Sequence, residues 1–162
     1  MAAADAYPLT RDALAARFAT PEDLSAVLAL MRAFYAEDRL HFDPIGTPRA
    51  LSTLLADSGC GVVLLLGEDE RAGYLVLSRC FSLEQGGHHA LLDELYIAPH
   101  ARGQGLGARA LALAASCART WGVAVLRLEV HHHNPRAKAL YARAGFIDGR
   151  RDVLAVALQA MQ

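Results

Sequence analysis

The stretch Leu92-Asp93-Glu94-Leu95-Tyr96-Ile97-Ala98-Pro99-His100-Ala101-Arg102-Gly103-Gln104-Gly105-Leu106-Gly107 decides how the chain is read. Its first half continues a strand-like run from His88 to Ile97, and Pro99 ends that run. Its second half sets three glycines before an amphipathic helix expected over about Leu106 to Trp121. Glycine lets backbone come very close to a ligand. The start of a helix offers unpaired N–H groups and the positive end of its dipole to an anion. Arg102, Gly103, Gln104, Gly105, Leu106 and Gly107 therefore read as a phosphate cradle.

Outward from this stretch the pattern predicts the other elements. Ala15 to Ala19 reads as a short strand. Thr20 is an N-cap, with Pro21 at the first helical position and an acid, Asp23, at the third. Leu24, Val27, Leu28, Met31, Phe34 and Tyr35 then keep a helical period. Pro44, Gly46 and Pro48 interrupt, and a second helix is expected over about Arg49 to Ala56. A meander of three strands follows, over Gly61 to Gly67, Ala72 to Ser82 and His88 to Ile97. Beyond the long helix come a strand over Val123 to His131, a helix over Asn134 to Ala144 and a last strand over Val153 to Leu158. The order β-α-α-β-β-β-α-β-α-β predicts an α/β fold with a mixed, mostly antiparallel central sheet flanked by helices. Residues 1–13 read as a loose leader to one domain spanning 1–162.

Composition bounds the function. At 54% hydrophobic and 20% charged, the chain has the make-up of a folded core rather than of a disordered one. A net charge of −1 leaves no footprint for nucleic acid. Cys60, Cys80 and Cys117 form no Cys-x-x-Cys pair, which fits free thiols in a reducing cytoplasm. A basic region followed by an apolar one is missing at the N-terminus, and no apolar run is long enough for a membrane span.

Three phosphates compete for the cradle. A nucleoside triphosphate loop needs Gly-Lys-Ser/Thr, which does not occur. Gly105-Leu106-Gly107-Ala108-Arg109-Ala110 fits a dinucleotide fingerprint, with Glu129 further on. Against it, Pro99 and the residues to Arg102 separate strand from glycines. Only residues 130–162 remain to complete a doubly wound sheet. The third phosphate is the pyrophosphate of coenzyme A. The opening stretch resembles the central motif of the GCN5-related N-acetyltransferases, the GNAT superfamily: a strand ending in Val/Ile-x-Pro, then [Arg/Gln]-x-x-Gly-x-[Gly/Ala], then a helix. Arg102, Gly105 and Gly107 fill its defining positions. Leu128-Glu129-Val130-His131-His132-His133-Asn134 through Tyr141 to Gly145-Phe146 resembles the family's second motif, and the two cover about residues 88–147.

The resemblance implies a GNAT fold. It also implies acetyl transfer from acetyl-CoA to a primary amine, of a small molecule or a protein, by direct attack in a ternary complex. The backbone of the cradle would hold the pyrophosphate, the side chain of Gln104 being incidental. Asn134 reads as an N-cap, since Pro135 follows, and the resemblance adds a cofactor contact. Tyr141 lies seven residues on, hence on the same helix face. The family's tyrosine here protonates the CoA sulfur, and a thiol near about 8.5 and a phenol near about 10 are matched closely enough for that transfer. Backbone N–H groups of Leu95, Tyr96 and Ile97 would polarise the thioester.

A base must act on an ammonium whose ordinary pKa is about 10.4. Asp93, Glu94 and Glu129 qualify, with Glu94 favoured and Glu129 second; a water chain is the alternative. Asp93 and Glu94 point to opposite faces of their strand unless a bulge intervenes. Tyr35, Glu37 and Asp38, near His41, Phe42 and Asp43, are the expected acceptor surface, because acids beside aromatics suit a cation. His131-His132-His133 is not read as a metal site, since neighbours on a strand alternate faces. His88 and His89 are read as strand surface. Homodimers are common in the superfamily, and the apolar segment Val153 to Val156 is the expected contact. The rival reading is a non-catalytic acyl-CoA-binding module on the same fold, which needs neither Tyr141 nor a base.

Overall fold

The computed structural model describes residues 14–158, so the leader expected over 1–13 lies outside the described residues. Strand β1 (Ala16–Phe18) leads through a 3-10 turn at Pro21–Asp23 into helix α1 (Leu24–Asp38). The Asp23 carboxylate accepts the Thr20 N–H at 2.7 Å and pairs with Arg17 at 2.7 Å, which fixes the entry to α1. Helix α2 (Gly46–Ala56) starts earlier than the sequence predicts. Pro48 is tolerated in its first turn, and Asp43 accepts the Ile45 N–H at 2.9 Å just ahead of it.

Strands β2 (Gly61–Leu66), β3 (Gly73–Ser82) and β4 (Gly87–Ile97) form the antiparallel meander. A turn of 3-10 helix at Pro99–Ala101 leads to helix α3 (Leu106–Thr120), then β5 (Leu126–Leu128) and helix α4 (Pro135–Arg143). The sheet order is β1-β2-β3-β4-β5, antiparallel except for the parallel pair β4–β5. This is the mixed, mostly antiparallel α/β sheet that the pattern predicts.

Two apolar clusters sandwich the sheet. Leu64, Leu66, Leu75 and Leu77 pack with α3 on one face. Val63, Leu65, Tyr74 and Val76 pack with α1 and α2 on the other. The strict alternation along β2 and β3 is what a sheet covered on both faces requires.

Two departures matter. β5 keeps only three residues of the nine expected over Val123 to His131. The last strand, expected over Val153 to Leu158, is not formed, and residues 146–158 carry neither helix nor strand. Val153, Leu154, Val156 and Leu158 are all exposed, so the segment finds neither a ladder partner nor an apolar layer. Arg151 instead pairs with Glu84 at 2.7 Å, and Asp152 stands 3.6 Å from His132.

Candidate active site

The parity of β4 breaks in the middle. Val76 of β3 faces Glu94, yet the next residue, Leu77, faces Leu92, leaving Asp93 as an extra residue. This is a β-bulge. Its effect shows in the packing: Leu92 and Leu95, three apart, both join the α3-side cluster, while Tyr96 joins the opposite one. Without the bulge Glu94 would share the face of Leu92 and enter the α3-side core. With it, Glu94 turns to the α1–α2 face and Asp93 comes beside it. The two acids that simple alternation separates line one pocket.

That pocket measures about 200 Å³ and opens between α1, α2 and the sheet. Tyr35 reaches it from α1, and its hydroxyl donates to Glu94 Oε1. The buried Tyr74 hydroxyl donates to Glu94 Oε2 at 2.6 Å. Burial pushes the Glu94 carboxyl above its usual range, and the two phenol donors pull the other way. Both phenols are raised, chiefly by burial and next by the carboxylate, so they stay protonated donors. Asp93 has no donor among the described residues. Its outer edge is exposed, but the desolvation it does suffer, and then Glu129, raise its pKa. Glu129 stands just past β5, exposed and outside the pocket wall.

The cradle follows β4. Arg102 N–H closes the 3-10 turn onto Pro99 O at 3.3 Å. From Gly103 to Ala108 no backbone N–H donates to a protein acceptor among the described residues. Gly103 and Gly105 hold φ of +79° and +74°, conformations natural only to glycine, and a Cβ on either would meet nothing within 4 Å. The cradle is thus open on its ligand side and rich in free donors, as a pyrophosphate requires. Gly107 serves differently: a Cβ there would stand 3.0 Å from Leu140 Cδ2, so this glycine lets α4 pack against α3. The Arg102 side chain is already committed. Its Nε donates to Ile97 O at 2.8 Å and its terminal nitrogen pairs with Glu37 at 2.6 Å.

Between cradle and bulge, β5 pairs with β4 only at Ala90–Leu92. The groups of Leu95, Tyr96 and Ile97 that face away from β3 therefore have no strand partner, which leaves a cleft along β4. At the second motif, Asn134 caps α4, its side chain accepting from the Ala137 N–H at 3.0 Å. Tyr141 is half-buried, 5.9 Å from Phe146 between ring centroids. Burial and then Asp38 raise its hydroxyl, which therefore keeps its proton at neutral pH.

Of the expected acceptor residues, Tyr35 lines the pocket, Glu37 is held by Arg102, and Asp38 faces Tyr141 electrostatically. His131 and His133 stack at 5.2 Å, and among the described residues no three His, Cys, Asp or Glu side chains group to hold a metal. His89, read as surface, is buried at 5% exposure with Nδ1 unpartnered, because the β3–β4 hairpin turns it inward. The sequence reading missed Tyr74 and the apolar wall of α2. The spacing of Leu51 and Leu54, three apart on one helix face, carried that signal, but only the bulge shows where it points. A second depression, of about 240 Å³ and lined by Arg79, Phe81, His88 and Trp121, lies toward the far end of β3 and holds no carboxylate.

The comparisons with known proteins agree with this geometry. The model of the acetyltransferase (GNAT) family matches residues 27–146. A Bacillus subtilis (strain 168) protein named uncharacterized N-acetyltransferase YhfO is 28% identical over 130 residues, covering 80% of this chain and 87% of its own. The crystal structure of an integron cassette protein from the mobile metagenome of Cole Harbour Salt Marsh is 33% identical. It superposes with a TM-score of 0.78 over 90% of this chain and 91% of its own. An aminoglycoside acetyltransferase from an uncultured soil metagenomic sample, in complex with trehalose, shares the fold at 15% identity. Its TM-score is 0.77, over 92% of this chain and 99% of its own.

Proposed function

The chain belongs to the acetyltransferase (GNAT) family, and we propose that it moves the acetyl group of acetyl-CoA to a primary amine by direct attack in a ternary complex. The observation that carries this is the run of unpaired N–H groups at residues 103–108, just past the end of the strand that holds two carboxylates in a pocket. When bound, acetyl-CoA supplies an activated thioester. The N–H groups of Gly103 to Gly107 hold its pyrophosphate, Arg102 braces them against α1, and the free edge of Leu95 to Ile97 lines the path of the arm. Asn134 adds a contact from the head of α4.

The acceptor enters as an ammonium. Glu94, which accepts from two phenols, attracts it and fixes its direction. Asp93, which no donor holds, takes its proton; a carboxyl raised above its ordinary range is a better match to an amine. Glu129 stiffens that basicity from a distance. Backbone N–H groups on the outer edge of Leu95 to Ile97 stabilise charge developing on the acetyl oxygen. As the C–N bond formed and the C–S bond broke, Tyr141, still protonated, would give its proton to the departing sulfur, and the surplus proton of the new amide nitrogen would restore the phenol. A cytoplasmic setting fits the three free cysteines. Self-association through residues 153–156 belongs to the same proposal, supported by the exposure of Val153, Leu154 and Val156 and tested by light scattering.

The experiment is thiol release from acetyl-CoA across a panel of amines, with calorimetry of acetyl-CoA and of NAD in parallel. Turnover with acetyl-CoA binding is expected. Acetyl-CoA binding without turnover on any amine or peptide would favour the non-catalytic module, and NAD binding alone would overturn the proposal.

A further inference from the structure

The pocket above the bulge is small, apolar and one-sided in charge. Its walls are mainly Met31 from α1, Ala50, Leu51 and Leu54 from α2, and Val76 from β3, with Tyr35 and Thr47 as the uncharged polar residues. Its acids, Asp93 and Glu94, sit together on β4. Among the described residues that line it there is no Lys, Arg or His. Of the expected acids beyond it, Glu37 is held by Arg102 at 2.6 Å.

Resting on the acetyltransferase reading above, we propose that the acceptor is a compact apolar monoamine: one aromatic ring or branched alkyl group on a short chain ending in a single ammonium. Volume sets the first limit. A cavity of about 150 Å³ lined by aliphatic side chains holds a benzene ring, so about 200 Å³ takes one ring and a short amine arm. The several rings of an aminoglycoside would stand mostly outside it, in solvent. Charge sets the second limit. Both carboxylates lie at one place, so the further ammonium groups of a polyamine find no second charged partner in the lining and gain nothing from it. A free amino acid would bring its carboxylate beside Asp93 and Glu94 with no cation in the wall to receive it. Shape sets the third. A ring or branched group makes more dispersion contacts with Leu51, Leu54 and Val76 than the straight stem of a peptide lysine does.

The test is steady-state thiol release with phenethylamine, isoamylamine, spermidine, sisomicin, phenylalanine and a lysine-containing peptide, with acetyl-CoA binding measured by calorimetry. Phenethylamine or isoamylamine should exceed the others in kcat/KM by at least about tenfold, about 1.4 kcal/mol of discrimination. Ala50→Phe plugs the pocket from an exposed position on α2. It should raise KM for phenethylamine at least about tenfold while acetyl-CoA affinity and the melting temperature stay as in the unaltered protein. Preference for spermidine, sisomicin, phenylalanine or the peptide would overturn the monoamine while leaving acetyl transfer standing. An unchanged KM in Ala50→Phe would show that the amine sits elsewhere. Loss of acetyl-CoA binding in the unaltered protein would instead overturn the acetyltransferase reading itself.

Discussion

Residues 103–108 make the cradle in one unbroken run, whereas the proposed acceptor pocket brings together Tyr35, Leu51, Tyr74 and Glu94, the outer pair 59 residues apart. The cradle works through backbone and owes its form to two positive φ angles and a helix start. The pocket works through side chains and owes its form to one extra residue in β4 that resets strand parity. A site made of local backbone fails through a single glycine. A site made of distant side chains fails in graded steps.

The sharpest break is therefore Gly105→Glu. Any side chain at φ +74° is strained, and a carboxylate there opposes the pyrophosphate directly. Acetyl-CoA affinity should fall by at least about 100-fold, or about 2.7 kcal/mol, with the circular dichroism unchanged. Unimpaired binding in calorimetry would remove the cradle from cofactor recognition. Next comes Tyr141→Phe. It deletes the proposed proton donor while keeping the ring against Phe146, so kcat should drop by about 10²–10⁴-fold with acetyl-CoA binding intact. Equal turnover would exclude the hydroxyl from the reaction.

This contrast also explains what was legible in the sequence. The glycines, Pro99 and the helix pattern after them identify the cradle because every determinant is local. Asn134 as cap follows from Pro135 in the same way. The bulge was not legible: Leu92, Asp93, Glu94 and Leu95 are compatible with an unbroken strand, and only packing of Leu92 and Leu95 on one side of the sheet selects the irregular one. Glu37 looked like an acceptor acid because nothing in its neighbourhood reveals that Arg102, 65 residues on, will claim it. The last strand failed for the opposite reason. Val153 to Leu158 has the right residues, but strand propensity does not form a ladder without a partner.

Asp93→Asn separates the chemistry of the pocket from its stability. The folded pKa is raised, so Asp93 contributes favourably only while protonated, and that contribution is lost as pH rises through the folded value. At neutral pH its ionised form is a liability. The amide should thus lower kcat/KM by about 10²–10⁴-fold and raise the melting temperature slightly at pH 7, with the gain disappearing in acid. A melting temperature that falls at pH 7 would show that Asp93 has a structural partner. Arg102→Ala acts more weakly and at the cradle. An ion pair this exposed contributes about 0.2–1 kcal/mol, so acetyl-CoA affinity should fall only a few-fold, and an effect as large as that of Gly105→Glu would show the guanidinium touching the cofactor itself.

The smallest expected effect tests the electrostatic link between the cleft and the pocket. Glu129 lies past the end of β5, exposed, and reaches Asp93 only through its field, which raises the Asp93 carboxyl. Because the base must be ionised, the acidic limb of kcat/KM against pH lies above the ordinary carboxylate range. Glu129→Gln removes a like charge, lets Asp93 ionise more easily and should move that limb to lower pH while leaving the plateau near its original height. Salt screens exposed charges, so the difference between the two proteins should narrow as ionic strength rises past about 0.15 M. A collapse of the plateau instead of a shift would make Glu129 the proton acceptor, transferring the base from the bulge to the end of β5. The pocket would then keep its role in binding the amine but lose its role in the proton transfer.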